Sequence, residues 1–187
     1  PSLDDVLKKW LERTPIQGSF ISDKNDEKFV EEFIDNYLDS MIDQNKKTLE
    51  NMGEYSSVDI ETLEARFESN ILSAREYLRP EGKTNRGRAG LLFIEAYRDL
   101  PLLAWPRKLI DSFVELEESM VIFRTYHARM VERIIGRRVG TGGSSGVDYL
   151  DETTKYRIFK DLWGVRTILI KKSALPAISN SELYDFK

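Results

Sequence analysis

The sequence predicts an all-α protein, a helical bundle with one long helix, and three observations support this prediction. Apolar residues recur at intervals of three and four along most of the chain, which is the spacing of one face of an α-helix. The breaks between these stretches carry Pro, Gly or Ser, as at Pro15, Pro80 and Gly82. Residues 165–170 resemble a strand but have no partner strand, so we expect them to be helical.

The first half of the chain predicts three helices. The first covers residues 2–12, where Ser2 can cap the helix and the acidic residues that follow suit its positive end. Residues 26–51 and 58–79 combine an apolar stripe with a strongly charged opposite face. We therefore interpret 26–79 as a peripheral helical hairpin, at an edge or in an oligomer contact rather than in the core.

The second half is expected to hold the functional core, over residues 84–176. Residues 86–98 are rich in large apolar side chains and predict a short buried helix. The longest helix is predicted from about 106 to 136, and further helical turns are predicted over 149–172. The tail, residues 177–187, is expected to be frayed.

Composition indicates an ordinary globular protein and excludes several functions. The 187 residues fit a single helical domain, 1–187. A net charge of −4 argues against nucleic acid or an anionic membrane as the main partner. The absence of cysteine rules out thiolate ligands in this sequence and fits a reducing compartment, so we expect a cytoplasmic location. No apolar run approaches the ~20 residues that span a bilayer, so no membrane association is expected.

His127 is the only histidine of the sequence, and it lies on the apolar stripe of the longest helix with Phe123 and Met130. An imidazole in such a place is most often a core residue that is hydrogen-bonded to a neighbour. A haem site uses the same features, since it needs an axial imidazole, an apolar wall and cations for the propionates. Residues 124–138 supply cations, with five arginines and one glutamate. Both interpretations remain open on these observations.

A glycine-rich loop, Gly-Thr-Gly-Gly-Ser-Ser-Gly at residues 140–146, follows this helix directly. Its glycines permit close backbone approach to a ligand, and successive amides can bind an anion. The hydroxyls of Thr141, Ser144 and Ser145 add hydrogen-bond donors and acceptors. The loop lacks the lysine and the preceding strand of a Walker phosphate loop. A flexible linker is the alternative that composition leaves open.

Taken together, the histidine and the loop resemble tryptophan 2,3-dioxygenase. His127 is followed by Arg-Met-Val-Glu-Arg-Ile-Ile-Gly at 129–136 and by the glycine-rich loop, with Thr141 fourteen residues after the histidine. The resemblance covers residues 3–15 and 84–176, whereas the region between them matches only as a helical region. The segments that extend it are Trp10-Leu-Glu-Arg-Thr-Pro15, Ala96-Tyr97-Arg98-Asp99 with Pro101, Tyr149-Leu150 and Tyr156-Arg-Ile-Phe-Lys-Asp-Leu-Trp163.

The resemblance implies an all-helical oxidoreductase that depends on haem b and is usually a homotetramer. Such enzymes insert both atoms of O2 across the indole C2–C3 bond of L-tryptophan and give N-formylkynurenine, a step of tryptophan catabolism through the kynurenine pathway. They therefore belong to the dioxygenases.

The resemblance also assigns residues. His127 is implied as the axial ligand of the haem iron, and Thr141 as the group that binds the ammonium of the substrate. Phe123 stands beside the haem where the family often has Trp, which keeps the apolar wall but loses an indole N–H donor. The other implied positions are Arg124, Ser144 and Tyr149 near the haem, and Gly142 with Ser144 in the substrate site.

The family's first half has no counterpart in this sequence. That half carries a distal histidine, an arginine for the substrate carboxylate and aromatic residues around the indole, so no catalytic residue can be assigned here. We expect another chain or segment to supply it. Two alternatives stay open: a related haem-dependent oxygenase of another indole or of tyrosine, and a helical subunit that binds haem or completes an oligomer without catalysis.

Overall fold

The structure, a computed structural model, describes residues 1–51, 59–137 and 146–185. Within these ranges the chain forms helices and no β-strand, which confirms the all-α prediction. The nearest approach to a sheet is an isolated bridge that closes a tight turn between Ile16 and Ser19. In the same ranges no helix combines the length and the apolar character needed to cross a bilayer.

Seven α-helices lie in the part of the chain that the structure describes, close to the predicted positions. The predicted helical turns over 149–172 are divided into two helices by an irregular connection at 154–159. The expectation of helix over 165–170 is correct only as far as Thr167, where the second of these helices ends. The helices are α1 (Leu3–Leu11), α2 (Asp26–Asn51), α3 (Ile60–Leu78), α4 (Arg86–Ala96), α5 (Ala104–Ile135), α6 (Val147–Thr153) and α7 (Lys160–Thr167).

Contacts divide the chain into two compact units. The first is made of the described parts of 1–107 and 161–187, and the second is 108–160. The second unit holds most of α5, all of α6 and the connection that follows it. The expectation of one domain with its functional core over 84–176 stays a prediction.

Helix α4 forms the centre of the first unit, and eight of its 11 residues are buried. The ring of Phe93 lies edge-on to that of Phe33, with 5.3 Å between centroids, and 5.4 Å from that of Tyr184. A Cβ atom at Gly90 would lie 2.5 Å from the carbonyl oxygen of Leu11. Glycine at this position therefore lets α1 and α4 approach closely.

Helix α2 departs from the predicted peripheral position, because its apolar stripe belongs to the core. The Tyr37 hydroxyl donates to the carbonyl oxygen of Ile168 at 3.0 Å and accepts from the backbone N–H of Ile170 at 3.1 Å. Burial raises the pKa of Tyr37 well above its usual value. Of the two helices of the predicted hairpin, α3 is the one that fits an edge position, since Ala74 and Leu78 are its buried residues. The buried residues of α2 are Asp26, Val30, Phe33, Ile34, Tyr37, Leu38 and Met41.

The expectation of a frayed tail is wrong for residues 177–185. Tyr184 is fully buried, and its hydroxyl accepts a hydrogen bond from the backbone N–H of Gly18 and donates to the carbonyl oxygen of Pro15, both at 2.9 Å. Burial raises the pKa of Tyr184 to about 12. The tail is ordered by contacts with residues more than 160 positions earlier, which local sequence patterns do not reveal.

A buried ion pair fixes the first residue of α4. The Arg86 guanidinium contacts the Asp26 carboxylate twice, at 2.6 Å from Nε and 2.9 Å from Nη2. It also donates to the carbonyl oxygen of Thr14 at 3.0 Å. The Ser19 hydroxyl donates to the same carboxylate at 3.0 Å. The Arg86 guanidinium holds the pKa of Asp26 below its usual range.

Candidate functional site

Within the second unit, helix α5 has one covered face and one exposed apolar face. Ile110, Glu117 and Ala128 are the buried residues of this helix. Phe123 and Ile134, on the other side, are 68% and 74% exposed. An amphipathic helix normally covers its apolar stripe, and an exposed apolar patch often marks a binding surface. We call this surface the exposed α5 face; its residues are Phe123, Tyr126, Met130 and Ile134.

His127 lies at the border of the exposed α5 face and is half-buried. Its ring stacks on that of Phe123, with 5.9 Å between the ring centroids and 25° between the planes. No hydrogen-bond partner of the imidazole lies in the described ranges. The alternative from the sequence, a core histidine bonded to a neighbour, therefore finds no such neighbour among these residues.

This arrangement fits a haem better than a bare metal ion. In the part of the chain that the structure describes, no three His, Asp or Glu side chains come together as a set of metal ligands. A haem iron brings four ring nitrogens of its own and needs one protein imidazole with an apolar wall for the macrocycle. His127, Phe123 and Met130 offer that combination on one side of α5.

Arg124, which the resemblance puts near the haem, has two partners on the protein backbone. Its Nη1 donates to the carbonyl oxygens of Thr153, at 3.2 Å, and of Tyr156, at 3.1 Å. Thr153 is the last residue of α6, where a cation is favoured by the negative end of the helix dipole. Its place beside a cofactor stays a prediction.

Glu117 is the residue of this region that the sequence analysis missed. Its side chain is almost fully buried, and its Oε1 accepts hydrogen bonds from the backbone N–H groups of Ile158 and, at 3.2 Å, of Phe159. A buried carboxylate is costly unless it is hydrogen-bonded. No local pattern reveals this role, because the partners of Glu117 lie about 40 residues later in the sequence. The same two segments also meet through the rings of Phe113 and Phe159, with 5.1 Å between their centroids.

Ion pairs connect the last turns of α5 to α6. Arg137 lies 2.6 Å from Asp148 and 3.1 Å from Glu132, and Arg129 pairs with Asp151 and, at 2.6 Å, with Glu132. The residues joined lie on both sides of 138–145 in the sequence. These side chains are all partly or largely exposed, so water screens each pair and its contribution to stability is small.

The predicted substrate residues Thr141, Gly142 and Ser144 lie outside the described residues, and their roles stay predictions. The first described residue after them is Gly146, the N-cap residue of α6, whose φ of +60° is a conformation that favours glycine. Tyr149, predicted near the haem, lies on α6 and is 54% exposed.

Comparisons with known proteins point in one direction. A family model described as tryptophan 2,3-dioxygenase matches residues 1–169. A tryptophan 2,3-dioxygenase-like protein of Xanthomonas campestris pv. campestris is 46% identical, over 100% of this chain and 71% of its own length. Tryptophan 2,3-dioxygenase 2 of Ralstonia nicotianae is 44% identical, over 99% of this chain and 52% of its own. Tryptophan 2,3-dioxygenase of Sorangium cellulosum is 42% identical, over 100% of this chain and 47% of its own length. The chain therefore spans about half the length of these last two relatives.

Proposed function

The chain belongs to the tryptophan 2,3-dioxygenase family, and from this premise we propose that it forms the haem-binding part of a dioxygenase of L-tryptophan. The proposed reaction inserts both atoms of O2 across the indole C2–C3 bond and gives N-formylkynurenine. The observation that supports this function is the exposed α5 face. There the imidazole of His127 has no hydrogen-bond partner in the described ranges, stacks on Phe123 and lies next to exposed apolar side chains.

In this proposal the imidazole of His127 would hold the iron of a haem b. The haem, when bound, would supply the oxygen chemistry. Phe123 restricts the orientation of the imidazole by stacking, and Met130, 53% exposed on the same side, extends the apolar wall. Tyr149 and Ser144 complete the surroundings of the cofactor.

Thr141, with Gly142 and Ser144, is proposed to bind the ammonium group of the substrate. Holding the amino acid in one orientation brings C2 and C3 of the indole to the oxygen, and positioning of this kind can account for much of a rate enhancement. Residues that this sequence does not contain, from another chain or a further segment, are proposed to bind the carboxylate and cover the exposed α5 face. The complete units are proposed to form a homotetramer.

Haem titration of a histidine variant tests the ligand. We expect the protein to gain a Soret band with haemin and the His127→Ala variant to lose it. Thr125→Ala is the matched control, because Thr125 is exposed and lies two residues earlier, about 200° around the helix. An unchanged Soret band in His127→Ala, or none in the unmodified protein, would exclude this site.

Product analysis with the haem-loaded complete protein tests the substrate. We expect N-formylkynurenine from L-tryptophan. Turnover of tyrosine or another indole in place of tryptophan would favour the related oxygenase, and haem binding without turnover would favour a non-catalytic subunit. In Thr141→Ala we expect a higher KM, since a lost hydrogen bond to a charged group costs about 1.5–3 kcal/mol.

A further inference from the structure

Two charged side chains of α5 hold the end of α6 and the backbone that follows it. Arg124 donates to the carbonyl oxygens of Thr153 and Tyr156, and Glu117 accepts from the N–H groups of Ile158 and Phe159. The positive arginine binds carbonyl oxygens and the negative glutamate binds N–H groups, so each charge interacts with the end of a backbone dipole that carries the opposite sign. We call Glu117 and Arg124 the clamp.

The clamp lies on the same helix as the proposed iron ligand. Glu117 and Arg124 are seven residues apart, which is two turns, so they share one face of α5. His127 follows Arg124 by three residues, within a single turn. A shift of the backbone held by Arg124 is therefore a shift relative to the turn that carries His127.

The segment that the clamp holds also carries proposed site residues. Helix α6 follows its N-cap residue Gly146, includes Tyr149, and ends at Thr153, whose carbonyl group is held by the clamp. Arg137 pairs with Asp148 at 2.6 Å near the start of the same helix. The helix is thus tied to α5 near both of its ends, at the start by exposed groups and at the end by the more deeply buried clamp.

We propose that Glu117 and Arg124 are positioning residues for the dioxygenase reaction. They fix the loop's exit and α6 relative to the helix turn that binds the iron, and so place the substrate with respect to it, without touching substrate or haem themselves. This inference rests on the proposed function. It also gives Arg124 a different role from the haem contact that the resemblance implies.

The two roles of Arg124 separate in the haem-loaded complete protein. In Arg124→Gln we expect haem affinity within about twofold of the unmodified protein and a KM for tryptophan raised on the order of tenfold or more, because misplacement by about 1 Å can cost 100-fold. Arg66→Gln is the control, since Arg66 is an exposed residue of α3 with no ion pair in the described ranges. We expect it to leave both quantities unchanged.

Amide hydrogen exchange supplies a readout that is independent of activity. In Arg124→Gln and Glu117→Ala we expect faster exchange in residues 146–159, including the amides of Ile158 and Phe159, with no change in α4. Glu117→Gln keeps an acceptor oxygen in the same place, so we expect it to restore slow exchange and a KM close to that of the unmodified protein. Arg124→Lys, which can reach one carbonyl, is expected to show a smaller effect and serves if Arg124→Gln fails to fold.

Three results would overturn the inference. Haem affinity that falls in parallel with kcat/KM in Arg124→Gln would make Arg124 a haem contact. Faster exchange with unchanged kinetics would show that the clamp only stabilises the fold. A Glu117→Ala protein with unchanged exchange and an unchanged KM would remove Glu117 from the clamp. Failure of the proposed function is seen separately, as haem retained by His127→Ala.

Discussion

Helices α4 and α5 are both rich in apolar residues, but they use them differently. In α4, eight of 11 residues are buried, and the first unit supplies partners for nearly every large side chain. In α5, three of 32 residues are buried, and the exposed α5 face leaves Phe123, Tyr126 and Ile134 more than two-thirds uncovered. The same residue types thus stabilise the chain in one helix and remain exposed in the other, where the proposed function gives them a ligand or partner to bind.

Because of this difference, substitutions in the two helices are expected to affect different quantities, stability in α4 and binding in α5. Burial of apolar area stabilises a fold at about 25 cal/mol per Å², and a side chain that stays in water contributes little of this. Substitutions in α4 are therefore expected to change the free energy of unfolding. Substitutions on the exposed α5 face are expected to change affinity for haem or for a partner, with small effects on unfolding of the haem-free chain.

The largest effect is expected from one substitution made in both helices. Phe93→Ala removes a fully buried ring from the cluster with Phe33 and Tyr184, and we expect a loss of about 3–5 kcal/mol in the free energy of unfolding. Phe123→Ala should change it by no more than about 0.5 kcal/mol while weakening haem binding. Urea unfolding of the haem-free chain and haem titration measure the two quantities. Equal losses of stability would show that the exposed α5 face is covered in the free chain.

A second test compares an ion pair of each region. Asp26→Asn removes the carboxylate that pairs with Arg86 at the start of α4, and we expect it to lower the free energy of unfolding at pH 7 by about 2–3 kcal/mol. Asp148→Asn removes an exposed partner of Arg137, so a change of no more than about 1 kcal/mol is expected.

The first of these effects depends on pH. The pKa of Asp26 is lower in the folded chain than in the unfolded one, where it is about 3.9. Its contribution is therefore present above that value and is lost as the pH falls through the lower, folded pKa. Urea unfolding between pH 7 and pH 3 should show the unmodified protein and Asp26→Asn converging in acid. A constant difference across this range would mean that the charge of Asp26 does not stabilise α4.

The sequence predicted the helices well because their signal is local. The capping box of Ser2 and Asp5 and the helical spacing of apolar residues lie within a few positions of one another. The docked tail was not predictable in this way, since Tyr184 is held by Gly18 and Pro15. The inward face of α2 was also misjudged, because a charged outer face says nothing about the core that the inner face meets.

The candidate site was predictable in part for the same reason. His127 and its apolar neighbours follow from helical spacing, and stacking on Phe123 agrees with it. The role of Glu117 depends on Ile158 and Phe159, about 40 residues away, and no local pattern pairs them. The backbone partners of Arg124 were hidden in the same way.

A third test compares two glycines. At Gly90 of α4 an added methyl group meets the Leu11 carbonyl oxygen, so Gly90→Ala should lower the free energy of unfolding by about 2 kcal/mol. At Gly136, which ends α5 with a φ of +63°, there is space but an unfavourable conformation, and Gly136→Ala should cost about 1 kcal/mol. Asn tolerates positive φ, so urea unfolding should show a smaller loss of stability in Gly136→Asn than in Gly136→Ala. At Gly90 the limit is contact, so Gly90→Asn should lose at least as much stability as Gly90→Ala. If Gly90→Asn were more stable than Gly90→Ala, the close contact between α1 and α4 would not be the reason for glycine at position 90.

The smallest effect is expected from removing one hydroxyl group. Tyr184→Phe keeps the ring against Phe93 but loses the bonds to Gly18 and Pro15, so urea unfolding should show a loss of about 1 kcal/mol. Tyr126→Phe on the exposed α5 face, 73% exposed, is the control and should stay within about 0.5 kcal/mol. If the two variants were equally stable, the hydroxyl of Tyr184 would contribute nothing, and apolar contact alone would hold the tail. A loss confined to Tyr184→Phe would instead extend the stabilising region around α4 to the end of the described chain, through a polar contact that no apolar pattern predicts.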